Sequence, residues 1–158
     1  QNCTMTKGLI PPRNCPGIYE KFGQCGFRED HAVNLYTSPD LENWTFVADV
    51  FPKNSTEGNF TRPEGIYFRP KVIYNEANKE YVLWINYLAP ASSPLKAYPS
   101  AVFYVAASKS AKGPFIGVTN KASVYFSGGG DFTLMVDPNS KNATAYIAYD
   151  AWENNHSV

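Results

Sequence analysis

The chain has 158 residues, of which 44% are hydrophobic and 18% charged, a composition typical of a globular domain and not of a disordered segment. Fourteen basic residues balance fourteen acidic ones, so the chain lacks the positive field with which proteins attract nucleic acid or an anionic membrane surface. The sequence contains no run of 18 or more apolar residues, which argues against a membrane-spanning helix.

The first 24 residues are rich in proline and glycine and predict irregular structure. Three cysteines, Cys3, Cys15 and Cys25, lie in or next to this segment. Their spacing lacks the close Cys-x-x-Cys pairs of zinc sites, so no metal site is expected. In an oxidising compartment, three cysteines favour one local disulfide and one remaining thiol, with the pairing left open.

From Ala32 onwards, short runs of aromatic and β-branched residues alternate with clusters of Pro, Gly, Asn and Asp, a pattern typical of an all-β chain. The sequences NEANK at 75–79 and DPNSKN at 137–142 each join two such runs as a hairpin turn does. The proline-rich segment 88–100 predicts a loop. The predicted strands are residues 32–37, 44–50, 71–74, 81–87, 101–107, 115–118, 132–136 and 145–149.

An internal repeat indicates how these strands are grouped. The segment AVNLYTSPDLENWTF aligns with AVFYVAASKSAKGPF, with Ser38 opposite Ser108. The hairpin sequence that begins at Arg69 matches the one that begins at Asp131. The repeating unit is therefore two hairpins, or four antiparallel strands, and such units in series predict a β-propeller. About two and a half units fit in this chain, fewer than the 4 to 8 blades of a closed ring.

The acceptor signal for N-glycosylation, Asn-x-Ser/Thr, occurs six times in the chain, whereas about two occurrences are expected by chance. This excess predicts a glycoprotein that enters the eukaryotic secretory pathway and is secreted. The six acceptor asparagines are Asn2, Asn43, Asn54, Asn59, Asn142 and Asn155.

Four stretches resemble a known family: NLYTSPDLENWTF, EGIYFRPKVIYNEANKEYVLWINYL, YVAASKSAKGPF, and GDFTLMVD followed by AYIAYDAW. In this order and spacing they are similar to the five-bladed β-propellers of glycoside hydrolase family 43, which include arabinofuranosidases, xylosidases and exo-galactanases. The resemblance implies that residues 25–158 hold the end of the first blade, the second blade and the start of the third. Residues 1–24 are then an irregular, disulfide-containing insertion near the first blade, and the chain looks like an internal fragment of such a protein.

The resemblance implies part of a secreted inverting glycosidase that hydrolyses galactosyl, arabinosyl or xylosyl linkages of extracellular polysaccharides or glycoprotein glycans. An inverting enzyme holds a general acid and a general base about 6.5–9.5 Å apart, so that a water molecule fits behind the sugar. The family's third carboxylate is an aspartate that orients and tunes the others, and it matches Asp131 in GGGDFTL. The base is expected before Gln1 and the acid beyond Val158. The structural alternative is that Asp131 caps the glycine turn before it.

Arg69, His31 and Trp152 are the candidate substrate-binding residues. The Arg69 guanidinium could bind a sugar hydroxyl or pair with Asp131, since its planar fork suits both tasks. Local hydrogen bonding is the alternative for His31. Aromatic side chains such as Trp84, Tyr87 and Trp152 could stack on a pyranose ring, with packing between blades as the alternative.

The resemblance implies no cofactor, and a structural ion such as calcium at the propeller axis stays an open alternative. The expected partners are a carbohydrate and the remaining blades, supplied by the same protein or by another chain; nucleic acid and membrane are not expected. The alternative function is a non-catalytic carbohydrate-binding or structural propeller glycoprotein that assembles with another chain.

Overall fold

The computed structural model of the protein describes residues 32–90, 101–125, 129–140 and 144–151. Within these ranges the chain forms ten β-strands and one 3-10 turn at Glu57–Asn59, which confirms the predicted all-β class. All eight predicted strands form, and β3 and β4 are additional. The strands are β1 (Asn34–Thr37), β2 (Thr45–Asp49), β3 (Asn54–Ser55), β4 (Phe60–Thr61), β5 (Ile66–Asn75), β6 (Glu80–Leu88), β7 (Val102–Ser108), β8 (Ile116–Thr119), β9 (Gly129–Val136) and β10 (Ala145–Ala151).

The strands are grouped into one larger sheet and three antiparallel pairs. Strands β5, β6, β7 and β8 form a four-stranded antiparallel sheet in that spatial order, which we call the central sheet. Strands β1 and β2 form the first hairpin, β9 and β10 form the last hairpin, and β3 and β4 form a short ribbon. The central sheet is thus two consecutive hairpins, the four-stranded unit that the repeat predicts. Its edge strand β5 contacts β9, so the first strands of two successive units lie side by side.

Strand β5 begins five residues before the predicted start at Lys71, so Arg69 lies within the strand and does not precede it. Phe68 pairs with Asn86 and Lys71 with Trp84, which leaves Arg69 and Pro70 together in a β-bulge opposite one residue of β6. The proline suggested a strand boundary because it cannot donate a ladder hydrogen bond. It is tolerated because β5 is an edge strand and because the bulge interrupts the ladder at this point.

The main core lies between the first hairpin and the central sheet. The Val50 amide donates to the Val33 carbonyl over 2.9 Å and extends the first hairpin. The Phe115 amide donates to the Val50 carbonyl over 2.7 Å, so the first hairpin is joined to the chain before β8 through backbone as well as side chains. Gly113 has φ +71°, and a Cβ there would lie 2.7 Å from the Val50 carbonyl oxygen, so only glycine fits. The buried members of this core are Val33, Val50, Phe51, Tyr67, Leu83, Ile85, Tyr104, Ala106 and Phe115.

The turn SPDLENW between β1 and β2 is closed by its own side chains. The Asp40 carboxylate accepts hydrogen bonds from the backbone amides of Asn43 and Glu42, from the Asn43 side-chain amide and from the Ser38 hydroxyl. The Trp44 indole N–H donates to the Leu41 carbonyl over 3.1 Å. These donors, the Asn43 backbone amide first, hold the pKa of the Asp40 carboxyl well below its usual range.

Residues 1–31 lie outside the described ranges, so the predicted insertion at 1–24 and its three cysteines stay predictions. The same holds for most of the predicted loop at 88–100. In the described part of the chain, no helix is long and apolar enough to cross a membrane.

Candidate functional site

Asp131 is the third residue of β9, the strand that lies beside β5. Its carboxylate Oδ1 forms an ion pair with Nε of Arg69, so the fold brings together two residues that are 62 positions apart in the sequence. Their side chains stay 71% and 45% exposed, respectively, which leaves both accessible to a ligand. Arg69 therefore pairs with Asp131, which is one of the two alternatives considered for this arginine.

Arg69 has an unusual backbone conformation. Its φ is +55°, in the left-handed region that non-glycine residues rarely adopt, and it lies in the bulge of β5. The guanidinium carbon of Arg69 lies 4.9 Å from the centre of the Phe68 ring. The bulge therefore turns the arginine side chain so that it contacts both the Phe68 ring and the Asp131 carboxylate.

Asn86 is a third residue of this site, and sequence reasoning missed it. It lies in β6, pairing with Phe68 on one side and Phe103 on the other, and its side chain is fully buried. The side-chain amide donates to the carbonyl of Gly129 over 2.8 Å and to the carbonyl of Gly130 over 2.7 Å. The signal that could have found it is one amide in the otherwise apolar run YVLWINYL, because a buried polar side chain requires a partner.

Aromatic side chains support the segment before Asp131. The Phe103 ring packs against Phe132 at 4.9 Å, against Tyr149 at 5.4 Å and against Trp84 at 5.9 Å, measured between ring centres. A Cβ at Gly129 would lie 2.6 Å from the Phe103 ring, so this position accepts only glycine without a shift of the ring. Trp84 thus packs against Phe103, and packing was the alternative to stacking on a sugar ring.

Tyr87 also has the contacts of a packing residue. Its ring lies 5.0 Å from that of Tyr67, and its hydroxyl donates to the Glu64 carbonyl over 2.8 Å.

Two side-chain oxygens that are buried lack a hydrogen-bond partner in the described ranges, and both lie close to Asp131 in the fold. One is Oδ1 of Asn86 and the other is Oδ1 of Asp150. Asp150 lies at the register shift in β10, where Tyr149 pairs with Phe132 and Ala151 pairs with Gly129. Unsatisfied buried acceptors are rare in folded proteins, and a catalytic role or a bound water or ion is among their explanations.

The remaining predicted residues fall into two groups. The asparagines of three glycosylation signals, Asn43, Asn54 and Asn59, are exposed. The other predicted residues, His31, Trp152, Asn2, Asn142 and Asn155, lie outside the described ranges. Asp137 is a turn residue, as its DPN sequence predicts, and its carboxylate accepts a hydrogen bond from the Asn139 amide. The residues that the structure describes hold no group of three His, Cys, Asp or Glu side chains that could bind a metal ion.

No family model matches the sequence, and no curated protein matches it. Solved structures do match. An exo-β-1,3-galactanase from Phanerochaete chrysosporium is 29% identical over 79% of this chain and 28% of its own, with a TM-score of 0.55. An exo-β-1,3-galactanase from Clostridium thermocellum is 26% identical over 80% of this chain and 28% of its own, with a TM-score of 0.57. A family 43 β-1,3-galactosidase is 28% identical over 77% of this chain and 26% of its own, with a TM-score of 0.57.

The chain thus spans little more than a quarter of the length of these proteins, with coverage of 26% to 28%. The matches confirm both predictions made from the sequence motifs: the resemblance to family 43 and the partial propeller fold.

Proposed function

We propose that this chain, a segment of a five-bladed β-propeller like those of glycoside hydrolase family 43, contributes one carboxylate to a site that hydrolyses β-1,3-linked galactosyl groups. Two of the matched proteins are exo-β-1,3-galactanases and the third is a β-1,3-galactosidase. The structure of the Phanerochaete enzyme also contains β-1,3-galactotriose. These matches favour galactosyl over the arabinosyl and xylosyl groups that the sequence left open.

The observation that carries the proposal is the position of Asp131. It lies on the first strand of the last hairpin, beside the first strand of the central sheet, and is paired there with Arg69. In a propeller the first strands of successive units surround the axis, where the resemblance to family 43 places the site. An exposed carboxylate at this place suits the family's orienting aspartate.

The proposed reaction requires only proton transfer and a water molecule. A general acid protonates the glycosidic oxygen while a general base takes a proton from the water that attacks the anomeric carbon on the opposite face. In this scheme Asp131 does not form a bond to the sugar. It orients the neighbouring catalytic group and sets the local charge, which helps to keep the acid protonated. No redox or group-carrying cofactor has a role in these steps.

Secretion and glycosylation belong to the same proposal. The six acceptor signals support it, and the exposure of Asn43, Asn54 and Asn59 makes these three side chains accessible. Site-resolved mass spectrometry of protein secreted from a eukaryotic host tests this part. Glycans are expected at the exposed Asn43, Asn54 and Asn59, and complete absence of glycans would contradict this part of the proposal.

Hydrolysis is tested by galactose release from β-1,3-galactan with the intact protein and its Asp131→Asn variant. Loss of the orienting carboxylate is expected to lower kcat on the order of 100-fold or more, since small displacements in a catalytic site have effects of this size. Asp137→Asn is the matched control, because Asp137 lies in a turn at the other end of the same strand. Equal activity of Asp131→Asn and the wild type would contradict the proposal. Galactan binding without hydrolysis by the wild type would favour the non-catalytic carbohydrate-binding propeller.

A further inference from the structure

We propose that Asn86 and Arg69 are positioning residues, which reach from the central sheet to the last hairpin and fix the backbone and the carboxylate of Asp131. The inference rests on the proposed role of Asp131. It assigns a role to the buried Asn86 amide and to the positive φ of Arg69. The fold alone explains neither feature.

Asn86 acts on the backbone before Asp131. Its amide group donates to two consecutive carbonyls, those of Gly129 and Gly130, which are the two residues directly preceding the aspartate. Because the Asn86 side chain is fully buried, water does not compete for these hydrogen bonds. Two glycines in a row give the chain wide conformational freedom, and the amide removes that freedom where it would displace Asp131.

The orientation of the Asn86 amide is itself informative. The nitrogen faces two carbonyls, and the buried oxygen accepts no hydrogen bond from the described residues. The reverse orientation would place the oxygen against two carbonyl oxygens, which is repulsive. A buried acceptor without a donor is unfavourable, so the amide is retained at a cost to stability. The hydrogen bonds to Gly129 and Gly130 explain why an amide is present at position 86.

Arg69 acts on the side chain of Asp131. An exposed ion pair contributes little to stability, and both partners here are exposed. A left-handed φ at a non-glycine residue is unfavourable, and the pair does not compensate for it. Bulges are frequent next to active sites, where they redirect a side chain. The bulge of β5 and the strained φ thus serve to bring the Arg69 guanidinium to the Asp131 carboxylate.

The two contacts are complementary. The Asn86 amide sets where the backbone of Asp131 lies, and Arg69 sets how its carboxylate is rotated. Both originate from the central sheet, from neighbouring strands β5 and β6. The position of the Asp131 carboxylate therefore depends on the contact between the central sheet and the last hairpin.

The test compares Arg69→Ala, Arg69→Lys and Asn86→Leu in the intact protein. Arg69→Ala is expected to lower kcat on β-1,3-galactan about 10- to 100-fold, with KM changed less than about threefold, because orientation and not affinity is lost. Arg69→Lys, which keeps the charge, is expected to recover part of this loss, as is added guanidinium ion at millimolar concentration with Arg69→Ala. Asn86→Leu keeps the branching of the side chain but cannot donate to the Gly129 and Gly130 carbonyls, and it is expected to lower kcat similarly.

Lys109→Ala is the matched control. Lys109 directly follows β7 of the central sheet and its exposed side chain forms an ion pair with Glu80 of β6, so its removal tests whether loss of any ion pair at this sheet has the effect. Its kcat is expected to equal that of the wild type. Because Arg69 is exposed, the Arg69 variants are expected to fold, and they decide the inference even when Asn86→Leu does not fold.

The outcomes separate this inference from the proposed function. If the wild type hydrolyses galactan and Arg69→Ala keeps full kcat, the positioning role is wrong and the function stands. If the wild type does not hydrolyse galactan, the proposed function is wrong, and the positioning role, which rests on it, is overturned with it.

Discussion

The two boundaries of the central sheet differ in chemistry, although both join it to a hairpin. Towards the first hairpin the contact is apolar and aromatic, with Phe51 and Phe115 fully buried. Towards the last hairpin the aromatic contact of Phe103 with Phe132 is joined by the hydrogen bonds of Asn86 and the ion pair at Asp131. The comparison indicates that the contacts with the first hairpin, the first boundary, stabilise the fold. The contacts with the last hairpin, the second boundary, fix the position of Asp131.

The first boundary does contain one buried charge, and its surroundings explain why it is tolerated. The Arg62 guanidinium donates to the Phe51 carbonyl over 2.8 Å and lies 5.4 Å and 4.9 Å from the ring centres of Phe51 and Tyr67. Burial raises the pKa of the Tyr67 and Tyr104 phenols above the usual tyrosine value. Both phenols therefore stay protonated at neutral pH, and the charge state of this boundary does not change there.

The largest expected effect is on stability at the first boundary. Phe51→Ala removes a fully buried ring that contacts Phe60, Tyr67 and Tyr104, and we expect a loss of about 3–5 kcal/mol in the free energy of unfolding. Urea denaturation measures it, with Phe46→Ala, whose ring is 55% exposed, as the control that loses much less. Below the unfolding transition, kcat is expected to be unchanged. A fall in kcat of the Phe51→Ala variant under conditions where it is fully folded would show that the first boundary also positions the site.

The next effect concerns the second boundary. Gly129→Ala places a Cβ 2.6 Å from the Phe103 ring, and overpacking of this kind costs about 1–3 kcal/mol. Because Gly129 also accepts the Asn86 hydrogen bond, we expect kcat to fall together with stability. The double variant Gly129→Ala/Phe103→Leu, which makes room for the methyl group, is expected to recover kcat. If stability falls and kcat does not, the segment before Asp131 does not set its position.

The smallest effect is acid sensitivity in the turn of the first hairpin. The pKa of Asp40 is lowered in the folded state, so its contribution to stability is present above the unfolded value of about 3.9 and is lost as the pH falls below it. Asp40→Asn is expected to abolish this part of the pH dependence of the melting temperature between about pH 4 and pH 2. Asp137→Asn, in the turn of the last hairpin, is the control variant. An identical pH dependence for wild type and Asp40→Asn would contradict the assignment.

The strands could be predicted because their apolar and β-branched runs are punctuated by turn residues. The turn NEANK illustrates this, since the Asn75 side-chain oxygen accepts a hydrogen bond from the Ala77 amide, as in an Asx turn. The ribbon of β3 and β4 was missed because two-residue strands carry no periodicity, and its Phe60 ring packs on Phe51 of the main core. The start of β5 was missed because Pro70 indicated a boundary.

The candidate site was only half visible in the sequence. Asp131 was found through the resemblance to family 43 and Arg69 because it begins a repeated hairpin motif, and their pairing was one of two alternatives. Asn86 was missed although it is the one amide in an apolar run, and the sequence does not reveal which residues it contacts. Its partners, Gly129 and Gly130, are more than 40 residues away in the chain.

The sequence by itself determined the all-β class, the four-stranded repeat and the family resemblance, because these depend on local alternation and on turn residues that act within a few positions. The tertiary structure alone decided which side chains meet across the second boundary. Contacts such as Arg69 with Asp131 and Asn86 with Gly130 arise when two successive units pack, and packing is set by shape and burial over the whole sheet. The left-handed bulge at Arg69 has the same origin, since no local preference favours it.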